Sequence, residues 1–512
     1  MSTLLAGTLL LTATGLFSQM VGFVYRMMLS RLIGAETMGL YQLVMPVYSV
    51  LMSVTAVGLT VAVSTLSAQR YALGDSGTVK GILRRALGCF FLLAVPLGIL
   101  VVLLSDPISV YVLGDARTRL GVALLVPCVL LTGVENLHKH CFYGIGRVRP
   151  PAAVETAEQL IRTAAVLTLL MVFSVRNGEE TVGIIVLGMV LCEVFSACAL
   201  TLLFRRHWRQ FPPAPPQEQI SRRRLFAIAV PVGATSLLGT LLGSANAVLI
   251  PAKLVEGGMP LSDAMSQFGV LCGMTAPMLA LPTGFIGALC LVMVPDLARR
   301  TARGDRRAAA GFLDRVMSAT SLLIAPAMAL LAVLGPTVGR TLFQDPRVGD
   351  YILPLAVGTL LGCYQSVLSG ALNGLGLQGR GARNAILSDI VQLGFTYFTV
   401  ARWGLAGYAA GFVLSALAGM VLNLVSVLRA AALRPKPFCW FVRPLLAAGF
   451  MGTWCALFFK IMRDAGCGEG WSALICALLG VVLYAAALLA QGLSVTTLVA
   501  RLGRMLKKEA AT

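Results

Sequence analysis

Charged residues interrupt the apolar stretch 152–167, AAVETAEQLIRTAAVL, where the opposite charges Glu158 and Arg162 lie four residues apart. On a helix that spacing places both on one face. A guanidinium offers a planar fork of donors to a carboxylate or a phosphate, and a carboxylate one turn away can hold that fork between binding events. The same spacing describes a self-neutralised pair that fixes helix packing, and both readings stand at this point. Glu193 lies near the middle of the next apolar run with no partner at helical spacing. It is a candidate proton or cation site, or a packed carboxyl kept neutral by its surroundings. Asp389 is a second candidate of that kind, and Arg26, Arg31 and Asn246 are further polar residues at or inside apolar runs. Lys253, at the end of the run that holds Asn246, reads as a snorkelling side chain. His138, Lys139 and His140 read as headgroup contacts at the end of their run, since no metal-site spacing accompanies them. The 12 cysteines are scattered and form no C-x-x-C pair, so neither a metal nor a cofactor is expected.

The elements that must position these residues follow from composition. The chain has 512 residues, 57% hydrophobic and 12% charged, against roughly 25% charged in a soluble domain. Continuous apolar runs of about 20 residues recur from 4–28 to 471–492, each long enough to cross a bilayer as a helix. Fourteen such runs give an all-α polytopic membrane protein. The N-terminal sequence MSTLLAGTLLLTATGLF lacks a basic leader segment and reads as a retained first span. The net charge of +19 could suggest nucleic acid, but most of the 41 Lys and Arg fall on one side of the spans when the N-terminus is cytoplasmic. The expected partners of the basic excess are therefore anionic membrane lipids, not nucleic acid, and both termini are expected in the cytoplasm.

The chain reads as two halves of one design. Residues 205–224, RRHWRQFPPAPPQEQISRRR, form a basic, Pro-rich stretch expected to be a stiff cytoplasmic linker. It separates a six-helix bundle over 1–204 from another over 225–430, and 431–512 adds two helices and a basic cytoplasmic tail. At an offset of 230 residues, RYALGDSGTVKGILRR (70–85) aligns with RTARGDRRAAAGFLDR (300–315), Gly39 with Gly269, Pro96 with Pro326, Gly144 with Gly374 and Gly146 with Gly376. An even number of spans per half makes the halves parallel, pseudo-symmetric repeats, an architecture of transporters. The matched segments 70–85 and 300–315 read as interfacial helices. The same offset sets Ser388, Asp389 and Gln392 opposite Glu158, Gln159 and Arg162, so the halves are polar at the same places but not equivalent. Pro277 and LPTGFIG (281–287) mark the eighth span as the bent one.

The segment YRMMLSRLIGAETMGLYQLVMPVYSV (25–50) resembles the first two spans of the stage V sporulation protein B and polysaccharide-exporter group of lipid-linked oligosaccharide flippases. That group lies within the multidrug/oligosaccharidyl-lipid/polysaccharide superfamily. Arg26, Arg31, Leu32, Gly34, Gly39, Tyr41 and Pro46 carry the match, with Gly34 and Gly39 marking a turn between spans. Supporting stretches are GLTVAVSTLSAQ, FYGIGRVRPPAAVETAEQLIR, NAVLIPAKLVEGG and LVMVPDLARR. The resemblance implies a bacterial plasma-membrane flippase. It would move an undecaprenyl-pyrophosphate-linked cell-wall precursor, lipid II or a polysaccharide unit, from the inner to the outer leaflet by alternating access. Arg26, Arg31, Arg162, Glu158 and Asn246 become the candidates for substrate binding, and Glu193 and Asp389 the candidates for a coupling ion, H+ or Na+. The departures are Thr60, Thr65, Asn246 and Lys253, at positions where the group often carries Pro, a basic residue, Asp and Arg. A cation-coupled multidrug antiporter of the same superfamily is the alternative. A membrane-embedded transferase would need an acidic cluster or a sizeable extramembrane segment, so no enzyme is expected.

Overall fold

The computed structural model describes residues 2–173, 177–209, 222–431 and 435–491. Among them every regular element is a helix. In chain order these are α1 (Ser2–Met52), a π-turn (Ser53–Val57), α2 (Gly58–Ala72), α3 (Ser76–Leu103), the one-turn α4 (Ser105–Pro107), α5 (Arg119–Gly144), α6 (Arg149–Val172) and α7 (Gly178–Arg209). They continue as α8 (Arg222–Glu256), α9 (Leu261–Phe268), a π segment (Gly269–Thr275), α10 (Ala276–Ala280), α11 (Thr283–Ala302), α12 (Arg306–Phe343), α13 (Ile352–Gly374), α14 (Gln378–Trp403), α15 (Leu405–Ala431), α16 (Arg443–Asp464) and α17 (Glu469–Ala490). Ten helical runs are long and apolar enough to cross a membrane, and the bent pair Leu261–Ala280 and Thr283–Ala302 makes an eleventh. The first run, Leu10–Ala72, is broken at Gly34 and so holds two spans. α6 and α14 are as long as their neighbours but more polar, and they are not among these apolar runs. The bend of 53° in the eighth span falls at Leu281 and Pro282, as the prolines there require.

Residues 29–38 were expected to form a loop between the first two spans, with Gly34 and Gly39 marking its turn. Instead the helix continues through them, and one residue breaks it: Gly34, at φ 74° and ψ 174°. Only glycine adopts that conformation without a steric penalty, so a single position does the work of a loop. Gly39 is helical and serves close packing. A side chain on it would collide with the Met265 carbonyl, and one on Gly269 would collide with the Ala35 carbonyl. The two matched glycines thus let α1 and the end of α9 cross backbone to backbone.

The matched segments 70–85 and 300–315 are not interfacial helices either. Each is a tight helix–turn–helix corner. Asp75 N–H donates to Arg70 O (3.1 Å) and Gly74 N–H to Tyr71 O (3.0 Å), with Gly74 at φ 76°. In the second half Asp305 N–H donates to Arg300 O (3.2 Å) and Gly304 N–H to Thr301 O (3.0 Å), with Gly304 at φ 71°. These are paired terminal carbonyls closed by a left-handed glycine. The next residue then caps the following helix: Asp75 Oδ1 accepts from Thr78 N–H (3.0 Å) and Asp305 Oδ1 from Ala308 N–H (2.9 Å). The same glycine closure recurs at Gly146 and Gly376.

A further matched pair lies in the loops before α5 and α13. Asp115 accepts from Arg117 N–H (3.0 Å) and pairs with its guanidinium (2.7 Å), and Asp345 does the same with Arg347 (2.9 and 2.6 Å). Burial pushes the Asp345 carboxyl up, but the bonds from Arg347 outweigh it and hold the group below its ordinary value.

Contacts divide the chain into two compact units. One comprises Ala13–Tyr25 and Leu32–Gly269, and the other the stretch up to Thr12, Arg26–Arg31 and the chain from Val270 onward. α8 therefore counts with the first. In the second, α16 and α17 pack on α12 around Ala325, Ala447, Met451, Cys455 and Tyr484. The turn before α16 is pinned there: buried Trp440 donates from Nε1 to Asp314 Oδ1 (2.7 Å), and Lys436 Nζ donates to Asp314 Oδ2 (2.8 Å). Of the expected linker, α7 reaches Arg209 and α8 starts at Arg222, and residues 210–221 lie outside the described residues, as does the basic tail 492–512.

Replacing Gly269 by Ala should cost about 1–3 kcal/mol, the usual scale for overpacking a tight contact. Thermal unfolding of the detergent-solubilised protein checks this, with Gly287→Ala, whose added methyl meets nothing within 4 Å, expected to be neutral.

Candidate functional site

In the first unit α5, α6 and α7 bring six charged side chains together. α6 opens with Arg149, Pro150 and Pro151, where missing backbone donors cost nothing, and then presents Glu155, Glu158 and Arg162. Arg162 Nη2 donates to Glu158 Oε1 at 2.5 Å on its own helix and to Glu193 Oε1 at 3.0 Å on α7. Glu193, which has no partner at helical spacing in the sequence, therefore gains one across helices. Glu158 and Glu193 are 6% and 2% exposed, so without Arg162 they would be uncompensated charges away from water.

Glu135 on α5 completes the cluster, and the sequence analysis missed it. It is 3% exposed, and its carboxyl hydrogen-bonds that of Glu193. Lys139, one turn on, lies 3.9 Å from Glu135 and 3.1 Å from Glu155. Lys139 is thus a paired, largely covered cation rather than the expected headgroup contact. The i,i+4 spacing of Glu135 and Lys139 was the available signal. Glu158, Cys192 and Glu193 each place a donor atom within 4.8 Å of the others. Arg162 already supplies the positive charge among them, so the arrangement is an ion-pair network rather than a metal centre.

The second unit repeats the arrangement without the charges. At the 230-residue offset Glu158, Arg162 and Glu193 become Ser388, Gln392 and Asn423, and Glu135 becomes Gln365. Ser388 Oγ donates to Ser415 O (2.8 Å), and Ser415 Oγ donates to Gln392 Oε1 (2.9 Å). Asn384 Nδ2 donates to Asn423 Oδ1 (3.0 Å), and Asn423 Nδ2 to Gln365 O (3.2 Å). These bonds join α13, α14 and α15 into a neutral polar seam.

The remaining candidates make none of the contacts of the charged cluster described above. Arg26 on α1 is half-buried and is close enough to Cys272 to interact with it electrostatically. Arg31 donates from Nε to Leu342 O (2.6 Å) and from Nη2 to Thr341 O (2.8 Å), so it caps the C-terminus of α12. Glu36, from the same stretch, pairs with Arg117 at 2.7 Å. Asn246 is half-buried on α8, and Asp389 is half-buried on α14, beside Ser388. Lys253, in the last turn of α8, is 8% exposed and pairs with Glu256 at 2.6 Å.

Residues 4–299 match the family described as polysaccharide biosynthesis protein. The chain belongs to that family. It is 26% identical over 437 residues to stage V sporulation protein B of Bacillus subtilis (strain 168), covering 84% of this chain and 83% of the relative. It is also 21% identical over 460 residues to the lipid II flippase MurJ of the same organism, covering 82% of each. Among solved structures, the lipid II flippase MurJ in an inward closed conformation superposes with a TM-score of 0.72 at 14% identity, over 94% of this chain and 98% of that one. An inward-facing multidrug-resistance MATE transporter of the MOP superfamily gives 0.59 at 15% identity, over 81% and 94%. This member of the polysaccharide biosynthesis family thus has the fold of that superfamily, and the expected resemblance holds.

Arg162→Gln alone should cost about 3–5 kcal/mol, because it strands two buried carboxylates. The triple change Glu158→Ser, Arg162→Gln, Glu193→Asn copies the second half's neutral seam and should recover most of that loss. Melting curves of the purified variants test the comparison.

Proposed function

We propose that the protein is a lipid-linked oligosaccharide flippase of the bacterial plasma membrane. In this reading it moves an undecaprenyl-pyrophosphate-linked precursor, lipid II or a polysaccharide unit, from the inner to the outer leaflet by alternating access. A pyrophosphate headgroup cannot cross hydrocarbon unaided, so a flippase must offer it a cationic, wet path while the lipid tail stays in the bilayer. The observation that carries the reading is Arg162: a guanidinium midway along α6, 22% exposed, whose Nε finds no hydrogen-bond partner among the described residues. Its two carboxylate partners hold it as an anion would, and an incoming pyrophosphate can compete for the same donors. Arg26 is the second cation assigned to the substrate. Arg31 and Glu158 act by support, the one by holding the end of α12 and the other by holding Arg162, and Asn246 contributes a neutral polar contact. The family match and the lipid II flippase among the relatives support the cargo class. Both termini lie in the cytoplasm, following the basic bias of the loops, and the two six-helix repeats with their two added helices serve the same transport cycle. Transport makes and breaks no covalent bond in the cargo, so the protein is not an enzyme.

The buried carboxylates favour one further reading, a cation-coupled multidrug antiporter, with Glu193 or Asp389 carrying the coupling ion, H+ or Na+. The two are separated by a depletion strain. On acute loss of the protein, the flippase reading expects outer-leaflet accessibility of the lipid-linked precursor to fall, with drug susceptibility unchanged. The antiporter reading expects the reverse. Arg162→Ala and Arg26→Ala should each lower complementation of a flippase-depleted strain at least about tenfold, the scale of one lost charge-assisted bond of 1.5 kcal/mol or more. Full complementation by both would remove the assigned substrate site.

A further inference from the structure

The charged cluster of α5, α6 and α7 does not balance. The carboxyls are Glu135, Glu155, Glu158 and Glu193, and the cations facing them are Lys139 and Arg162. Lys139 takes Glu155, at 3.1 Å, and sits farther from Glu135, at 3.9 Å. Arg162 takes Glu158 and one oxygen of Glu193. The other oxygen of Glu193, Oε2, is buried and receives no hydrogen bond from any donor among the described residues. It belongs to a side chain 2% exposed, and what that carboxyl meets is the carboxyl of Glu135, itself 4% exposed. Two ionised carboxylates cannot face each other in such a place: one must carry a proton, which then bridges them. The neighbouring titratable groups supply no alternative charge. Tyr48 of α1 donates its hydroxyl to Thr132 (3.3 Å), Thr132 donates to Cys128 O (2.9 Å) and its hydroxyl also lies against Glu193, and Cys128 and Cys192 are free cysteines. Glutamine and asparagine occupy both corresponding positions, Gln365 and Asn423, where no proton is needed.

We propose that Glu135 and Glu193 share one proton and form a proton-binding site confined to the first half of the protein. Arg162 links that site to the substrate. When an anion draws Arg162 away, Glu193 loses the cation that faces it among the described residues and the shared proton is left to neutralise the pair, so anion binding and proton retention go together. This linkage rests on the flippase reading, whereas the shared proton does not.

The test is infrared spectroscopy of the full-length protein in phosphatidylethanolamine/phosphatidylglycerol vesicles, read at the carbonyl stretch of protonated carboxyls and its shift in deuterated water. One such band is expected at neutral pH. It should disappear in Glu135→Gln and in Glu193→Gln alike, and should persist in Glu155→Gln and Asp389→Asn. Survival of the band in both single variants overturns the proposal, as does its absence from the unaltered protein. Loss of the band on adding sodium at fixed pH assigns the pair to a metal cation and overturns it too. Should a glutamine variant fail to fold, the unaltered protein decides: a band that titrates away as one step with rising pH supports the shared proton, and a band indifferent to pH overturns it. Because no transported substrate enters the measurement, a failed complementation assay leaves this result standing.

Discussion

A charge inside a membrane span must be compensated within the protein, and Arg162 is where this chain meets that constraint. Its guanidinium answers Glu158 on the same helix and Glu193 on the next, so one charged bond ties α6 to α7 while the other orients the guanidinium along α6. Removing water makes each bond stronger and each orphaned group costlier, so such a network tolerates little partial change. Glu135 and Lys139 extend the constraint to α5. Three helices of the first unit are thereby tied through charge, where the second unit ties its three with amides and hydroxyls. Both seams are polar interfaces between helices, but only the charged one is built from ionisable side chains.

That difference separates two halves that are otherwise built alike. What the halves share is structural: the glycine closures at Gly74, Gly304, Gly146 and Gly376, the aspartate caps at Asp75 and Asp305, and the arginine-clasped Asp115 and Asp345. These residues end one helix and start the next, and they work the same way wherever the chain must turn sharply between spans. Where the halves differ, at Glu135/Gln365, Glu158/Ser388, Arg162/Gln392 and Glu193/Asn423, the side chains face neighbouring helices rather than solvent. Duplication kept the corners and left the polar interior free to diverge.

The spans were legible because a helix in hydrocarbon must satisfy its backbone internally, so length and apolarity suffice to find it. The bend at Pro282 and the duplication at a fixed offset were legible for equally local reasons. What misled was the conformation at short polar breaks. The basic segment around Gly74 and Asp75 has the composition of an interfacial helix, and its charges drew attention from the Gly-Asp pair that signals a closure followed by a cap. Around Gly34 the reverse occurred: polar residues suggested a loop where one left-handed glycine breaks an otherwise continuous helix.

The candidate site was legible only along single helices. Glu158 and Arg162 announce each other at four residues' spacing, whereas Glu193 looks solitary because its cation sits on another helix. Glu135 was passed over because Lys139 and two histidines beside it gave the run the look of a headgroup-facing end. A tally of charge per helix cannot detect an excess carboxyl, since each helix alone looks nearly balanced. The excess exists only once α5, α6 and α7 are packed and the carboxyl of Glu135 meets that of Glu193. The proposed proton site is therefore a property of the interface between helices, invisible in any one of them.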